Sequence, residues 1–450
     1  MQKNWLKTMT LLLAGLLTLG GCGDGGTAAV LMTPVYPEMA PYPNEQAYVN
    51  ASDGMFDSEG FSDVYDAWRK ARAERRNQPE GYTDGTVDFT RQAARAFLTG
   101  TEDNNALLSP LNVYLALGML TEVTDGQSRE QILQVLGADS METLRSRADS
   151  LWNANYCDDG ALTSVLASSM WLDRHMQYHT ESLEKLASVY RASAYQGDMG
   201  DPAYDSMLQD WLNEQTGGLL EESVKNLHMD PETILALAST VYYRGKWGSE
   251  FQAENNEERI FHSPAGDMEC TFMRQTDMHG VYYWSEQFGA ISRRMEEGGR
   301  MWFILPDEGV EMDAILQSDA LYDLLDPSCD WTDQKTLKIH QYIPQFDVSS
   351  DQDLRKGLAA MGITDVFDAA EADFSPLTDR KGVSLSQVKH AVRVAIDEEG
   401  VTAASYVAMM MAGASRPPAE EMDFILDRPF LFALTGTDDV ILFMGVVNRP

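Results

Sequence analysis

The sequence predicts an α+β fold. Helical periodicity dominates the first half of the chain beyond residue 86, and β-branched and aromatic runs between turn residues dominate the second; no internal repeat intervenes. With 450 residues and a hydrophobic fraction of 44%, the chain can bury a substantial core. The formal net charge of -36 repels phosphate backbones and anionic lipid, which excludes nucleic-acid binding through a basic surface.

The chain opens with "MQKNWLKTMTLLLAGLLTLGGC". Lys3 and Lys7 precede an apolar run, small residues follow, and the stretch is too short to span a bilayer, so residues 1–22 are expected to be a secretory signal peptide. Its end, Leu19-Gly20-Gly21-Cys22, resembles the bacterial lipobox, which implies a lipidated Cys22 and a membrane-anchored, extracytoplasmic or cell-surface protein. Residues 23–85 are rich in Gly, Pro, Asp and Ser, as in "TPVYPEMAPYPNEQAYVN", and are expected to form a flexible tether. Within it, "DAWRKARAERRN" is expected to be a solvated basic helix.

From residue 86 to 450 the sequence reads as one folded domain. "TVDFTRQAARAFL" places Phe89, Ala93 and Phe97 on one helical face. In "NALLSPLNVYLALGML", Ser109 holds an N-cap position and Pro110 the first helical position. "SREQILQVLG" suggests a capping box of Ser128 with Gln131 and a stop at Gly137. Strands are expected in "RMWFILP", "TLKIHQYIPQFDVS" and "HAVRVAID", and a hairpin in "FLFALTGTDDVILFMGVV". Besides Cys22 there are three cysteines, Cys157, Cys270 and Cys329; they form no C-x-x-C and are expected to be buried hydrophobes, or one pair and one spare.

An enzyme is not expected. The chain has no G-x-S-x-G and no H-E-x-x-H, and His175 with His179 lack the glutamate or third ligand of a metalloprotease, so no catalytic residue, metal or cofactor is assigned.

Seven segments, in order, resemble the serpin family: "NALLSPLNVYLALGML", "LQDWLNEQTGGLLEE", "ASTVYYRGKWGSEF", "RMWFILP", "IPQFDVSSDQDLRKGLAAMGITDVFDAAEADFSPL", "SQVKHAVRVAIDEEG" and "DRPFLFALTGTDDVILFMGVVNRP". The resemblance implies three β-sheets with a central sheet A able to accept a reactive-centre loop. It also implies a suicide-type inhibitor, which traps a covalent acyl-enzyme when the cleaved loop inserts as a strand. The implied partner is a serine endopeptidase, with a papain-like cysteine protease as a second class, met by a monomer that touches membrane through its lipid alone. The other reading is a non-inhibitory member acting as a surface binding or carrier protein.

The loop would be carried by "IDEEGVTAASYVAMMMAGASRPP", residues 396–418. Its hinge is Glu398, Glu399, Gly400, Val401, Ala403 and Ala404, with Val where inhibitory members usually have Thr. If Val401 points inward, strand alternation also sends Ala403, Ser405, Val407 and Met409 inward, none of them charged, and leaves Tyr406 facing solvent. Counting from Glu398 as in inhibitory members puts the reactive bond at Ala414-Ser415; counting back from "FILDRPF" points nearer Pro418. A small residue such as Ala414 suits elastase-like or subtilisin-like pockets. Polar positions beneath the insertion gap correspond to Ser109, Asn112, Ser239 and His390, and Trp247 to the top of the opening. Asn112 and Ser239 exchange the usual Ser and Asn, a swap that compensates if the two side chains face each other.

Overall fold

Central to the molecule is a sheet built on Leu235–Lys246, a run whose side chains are buried on both faces over most of its length. The computed structural model describes residues 28–50, 55–101, 104–225, 227–401 and 418–450. In chain order, the elements that frame the site are β1 (Ala28–Met32), α1 (Ser58–Arg76), α2 (Thr86–Phe97), α3 (Pro110–Glu122), α4 (Gly126–Val135), α5 (Met141–Asn155) and β2 (Thr163–Asp173). They continue with β3 (Ala192–Gly197), α6 (Pro202–Gln215), β4 (Leu235–Lys246), β5 (Phe346–Asp353), β6 (Gln387–Ile396) and the two-residue β7 (Gly400–Val401).

The first sheet runs β1-β3-β2-β4-β7-β6-β5. The second is nine-stranded, so two sheets stand where the family resemblance implies three; within it the 19-residue strand Gly266–Trp284 pairs with three others. Its other edge is the expected hairpin, Phe430–Thr435 with Ile441–Val447, closed by Ala106–Leu108. Helix α3, apolar on every side and entirely buried, lies between the two sheets and organises the main core. A smaller core forms on the outer face of the first sheet, where Tyr204, Leu208, Trp211 and Leu212 of α6 and its flank pack on Trp171, Ala236 and Ala238.

Local expectations fare unevenly. Phe89, Ala93 and Phe97 are buried along α2, and Gly137 takes the left-handed conformation (φ 60°) just beyond α4. The capping box does not form. Helix α4 begins two residues earlier, at Gly126, so Ser128 lies inside it; its Oγ accepts from the backbone N–H of Asp373 at 3.1 Å, and Gln131 accepts from Thr364 and donates to Asp365. These side chains tie down the 364–373 segment instead of their own helix. The cysteines are unpaired, which removes the one-pair alternative; Cys157 is buried and Cys329 exposed.

The larger correction concerns residues 28–50 and 55–85, which are no tether. Strand β1 adds to the sheet edge through Ala28↔Gly197 to Met32↔Ala194. The chain then runs up the molecule, Tyr36 packing on Trp152 and Tyr156 and Tyr42 donating its N–H to Asp159 O at 2.6 Å. Helix α1 starts at an Asp57 cap that accepts from Gly60 N–H, ends on Arg75 and Arg76, which suit the negative end of its dipole, and buries Trp68. Its Arg72, nearly buried, pairs with Glu297 and lies 3.6 Å from Asp159. Burial pushes the Glu297 carboxyl up although Arg72 pulls it down. Removing one partner of a buried ion pair strands the others at a cost of about 3–5 kcal/mol. Arg72→Met is therefore expected to undock α1, read as new limited-proteolysis cuts between residues 33 and 85; unchanged protease resistance would refute this anchor.

Candidate functional site, a slot in the central sheet

Strands β4 and β6 run parallel and are paired only at their lower ends, from Gln387↔Ala236 to His390↔Ser239. Above that rung they part. At the top, β7 is wedged between them, antiparallel to both, with Gly400↔Lys246, Val401↔Gly245 and Val401↔Ile396. In between, Thr240–Arg244 pair only with β2 and Ala391–Ala395 only with β5, so five residues on each edge face a slot without a sheet partner among the described residues.

The wedge is held by several independent contacts. Val401 is 2% exposed and belongs to the main core. Gly400 is required by close approach: a Cβ there would sit 2.2 Å from Gly245 O. The Asp397 carboxylate accepts from the N–H groups of Glu399 (3.0 Å) and Gly400 (3.1 Å), closing the turn. The carbonyls of Glu398 and Glu399 accept from the N–H groups of Phe251 and Trp247, both at 2.9 Å, and the Trp247 indole donates to Asp397 O at 2.8 Å. Ala403, Ala404, Ala414 and Ser415 lie outside the described residues, as does Cys22.

Arg293 supports this end and was not anticipated. It stacks on Phe251 (4.0 Å) and Trp247 (5.3 Å) and donates to Gln341, Ser249 O and Gln275 Oε1; burial lowers its pKa to about 9. The available signal was an arginine on the face of its strand shared with Ile291, where an apolar residue would continue the pattern.

The lower end of the slot is polar and buried. His390 Nε2 accepts the Ser109 N–H at 3.0 Å, so the neutral ring carries its proton on Nδ1, which has no hydrogen-bond partner. Burial lowers its pKa to about 4. Ser109 occupies the N-cap of α3, but its hydroxyl donates to Leu442 O at 2.6 Å instead of capping the helix. Among the described residues, Asn112, 1% exposed, has no partner for either side-chain polar atom, and Thr240 Oγ1 has none. The compensating contact between Asn112 and Ser239 is therefore not made. Each such group left unpaired costs about 1–3 kcal/mol. On the outer face, Arg393 of β6 donates to Leu219 O at 2.7 Å and pairs with Asp347, tying the segment after α6 to the far side of the slot.

The arrangement offers no hydrolytic chemistry. It offers a place for one more strand. Residues 84–450 match the family model described as "Serpin (serine protease inhibitor)". Mouse (Mus musculus) neuroserpin is 28% identical over 370 residues, covering 78% of this chain and 88% of the relative. Bovine (Bos taurus) plasminogen activator inhibitor 1 is 25% identical over 393 residues, covering 82% and 91%. Among solved structures, the native state of the thermophilic serpin tengpin superposes with a TM-score of 0.74 at 22% identity, covering 83% of this chain and 95% of that one. Human thyroxine-binding globulin, complexed with its hormone, gives 0.72 at 21%, covering 82% and 98%.

Because its folded-state pKa lies below the ordinary 6.5, His390 favours the native protein fully above about pH 6.5. That contribution, about 3 kcal/mol, is lost as pH falls toward 4, since the unfolded chain takes the proton first. His390→Gln is expected to flatten the fall in melting temperature between pH 7 and 4.5 relative to wild type; parallel curves would show that His390 is not buried neutral.

Proposed function

Starting from the fact that this chain belongs to the serpin family, whose members are protease inhibitors and non-inhibitory relatives rather than enzymes, we propose that it inhibits serine endopeptidases by inserting its cleaved loop into the slot between β4 and β6. The observation that carries this reading is the wedge: Gly400 and Val401 of the hinge already occupy the first two rungs of the strand that insertion would complete.

Continuing that register downward sets Thr402 to Tyr406 against Arg244 to Thr240, which fills the slot. Val407 to Met410 would then meet Ser239 to Ala236, where β4 and β6 are still paired, so the four rungs from His390↔Ser239 down must open. Inward residues Ala403, Ser405 and Met409 fall opposite Tyr243, Val241 and Leu237 of the main core, and no charge enters it. The outward residue Ala408 falls opposite Ala238, beneath α6, where a small side chain is needed. Tyr406 falls opposite Thr240, itself 0% exposed, so in this register the tyrosine meets protein rather than open solvent.

The chemistry is the protease's own. Its serine attacks a loop carbonyl, the peptide bond breaks, and the new amine leaves on the far segment. Insertion then has to outrun water at the acyl ester. Each new ladder bond contributes about 0.5–1.5 kcal/mol, and the slot edges have no sheet partner among the described residues. Ala414-Ser415 remains our assignment of the bond, and an elastase-like or subtilisin-like enzyme the target, on the count from Glu398 and the small side chain.

We further infer anchoring through a lipidated Cys22, on the signal-like N-terminus. Five residues, 23–27, separate Cys22 from β1, a reach of at most roughly 18 Å. Strand β1 starts at Ala28, beside Gly197 and hence level with Asp173, at the end of the sheet opposite the hinge. The bait loop would thus point away from the membrane.

The test is an SDS-stable complex with an elastase-like protease, together with a large rise in melting temperature after loop cleavage. Both are expected. A carrier protein would give neither. Val401→Arg, which must bury a charge, is expected to leave cleavage intact and abolish the complex; undiminished complex formation by that variant would contradict the mechanism.

A further inference from the structure

The arginine-rich stretch of α1 closes a cavity of about 380 Å³ between the N-terminal segment and the body, at the small end of the range for small-molecule sites. Its walls come from both sides: Trp68, Arg72, Arg75 and Arg76 from α1, and Ser164 and Tyr243 from adjacent strands β2 and β4.

The polar atoms lining it are unevenly satisfied. Trp68 Nε1, Arg72 Nη2, Ser164 Oγ and the Tyr243 hydroxyl are all buried and lack a hydrogen-bond partner among the described residues; Trp68 is 4% exposed, Tyr243 5% and the Arg72 side chain 9%. Native proteins rarely leave four such groups around one space unanswered. Every one of them is a donor or a hydroxyl able to donate; the one acceptor among the unpartnered lining atoms is Asn155 Oδ1. The charges lining the cavity are mixed, with Glu38, Glu74 and Asp159 among the three arginines. Arg72 faces two carboxylates, but the hydrogen bonds of Arg75 go to Asn153 O and Met39 Sδ and that of Arg76 to Glu297 O, all neutral acceptors. Two guanidiniums without a bonded carboxylate stand out in a chain of net charge -36. Leu162, Leu442 and the Tyr156 ring add apolar surface to the lining.

We propose that this cavity binds a small amphipathic carboxylate, its oxygens facing the donors of Trp68, Arg72 and Tyr243 and its apolar body lying along Leu162, Leu442 and Tyr156. The carboxylate supplies acceptors to the donor atoms that lack one, and the apolar end suits the side chains of Leu162, Leu442 and Tyr156. Because the site takes residues from α1 and from two strands of the slotted sheet, its occupant also fastens the N-terminal segment to that sheet.

The probe is 3-phenylpropionate, titrated into the full-length protein by calorimetry, with sulfate as the second ligand. Saturable one-to-one binding of 3-phenylpropionate is expected, weakened about tenfold or more in Ser164→Ala/Tyr243→Phe, which removes two hydroxyls and little volume. Ser164→Ala alone serves as the milder variant should the double one melt early, with a severalfold loss expected. No saturable heat, equal affinity in the variants, or sulfate binding as tightly as 3-phenylpropionate would overturn the assignment.

Discussion

A pair of central strands joined at the bottom, wedged apart at the top and without a partner between among the described residues is the constraint on which the molecule's behaviour depends. Thr240–Arg244 and Ala391–Ala395 present ladder groups to a slot that their own strands do not close. Backbone N–H and C=O groups placed this way are templates for another strand. What keeps β4 and β6 apart is the seating of Gly400–Val401 against Gly245 and Ile396, and what keeps them joined lower down is the His390↔Ser239 rung. The energetic poise is local. Buried polar atoms of Thr240 and His390 on the diverging strands, and of Asn112 on α3, lack hydrogen-bond partners among the described residues, so the ground state already carries their cost.

The N-terminal segment is built around the same sheet. It extends the sheet edge at β1, climbs past Asp159 and ends in α1, whose Arg72 joins Asp159, just ahead of β2, to Glu297. Glu297 neighbours Glu296, whose N–H donates to Lys246 O beside the hinge wedge. One covalent stretch therefore touches the sheet at its outer edge and near its upper opening. A segment arranged in this way resists independent movement of the strands it bridges, which links the side of the molecule carrying the N-terminus to the element that would have to open.

Much of the fold was legible because it rests on periodic patterns. The buried face of α2, the start of α3 at Ser109 and Pro110, and the hairpin at Phe430–Val447 follow from helical spacing, helix-start chemistry and strand alternation. Residues 28–50 were not, because they pack through isolated anchors in a Pro-rich run: Tyr36 on Trp152 and Tyr42 on Trp68 repeat at no period. Helix α1 was visible, but its docking was hidden, since one buried tryptophan and one buried arginine do not make an apolar stripe. Ser128 and Gln131 show the opposite error, a local motif overridden by contacts to residues more than two hundred positions away. The identity of polar residues around the slot came from family resemblance; their bonding did not, because whether Asn112 meets Ser239 depends on side-chain placement that no spacing encodes.

Amide hydrogen exchange across Thr240–Arg244 and Ala391–Ala395, before and after a single cut in residues 402–417, tests the central claim most directly. If the severed arm becomes the missing ribbon, the slot-facing amides on both edges acquire strong protection together. Unchanged exchange on either edge after complete cutting would contradict the account.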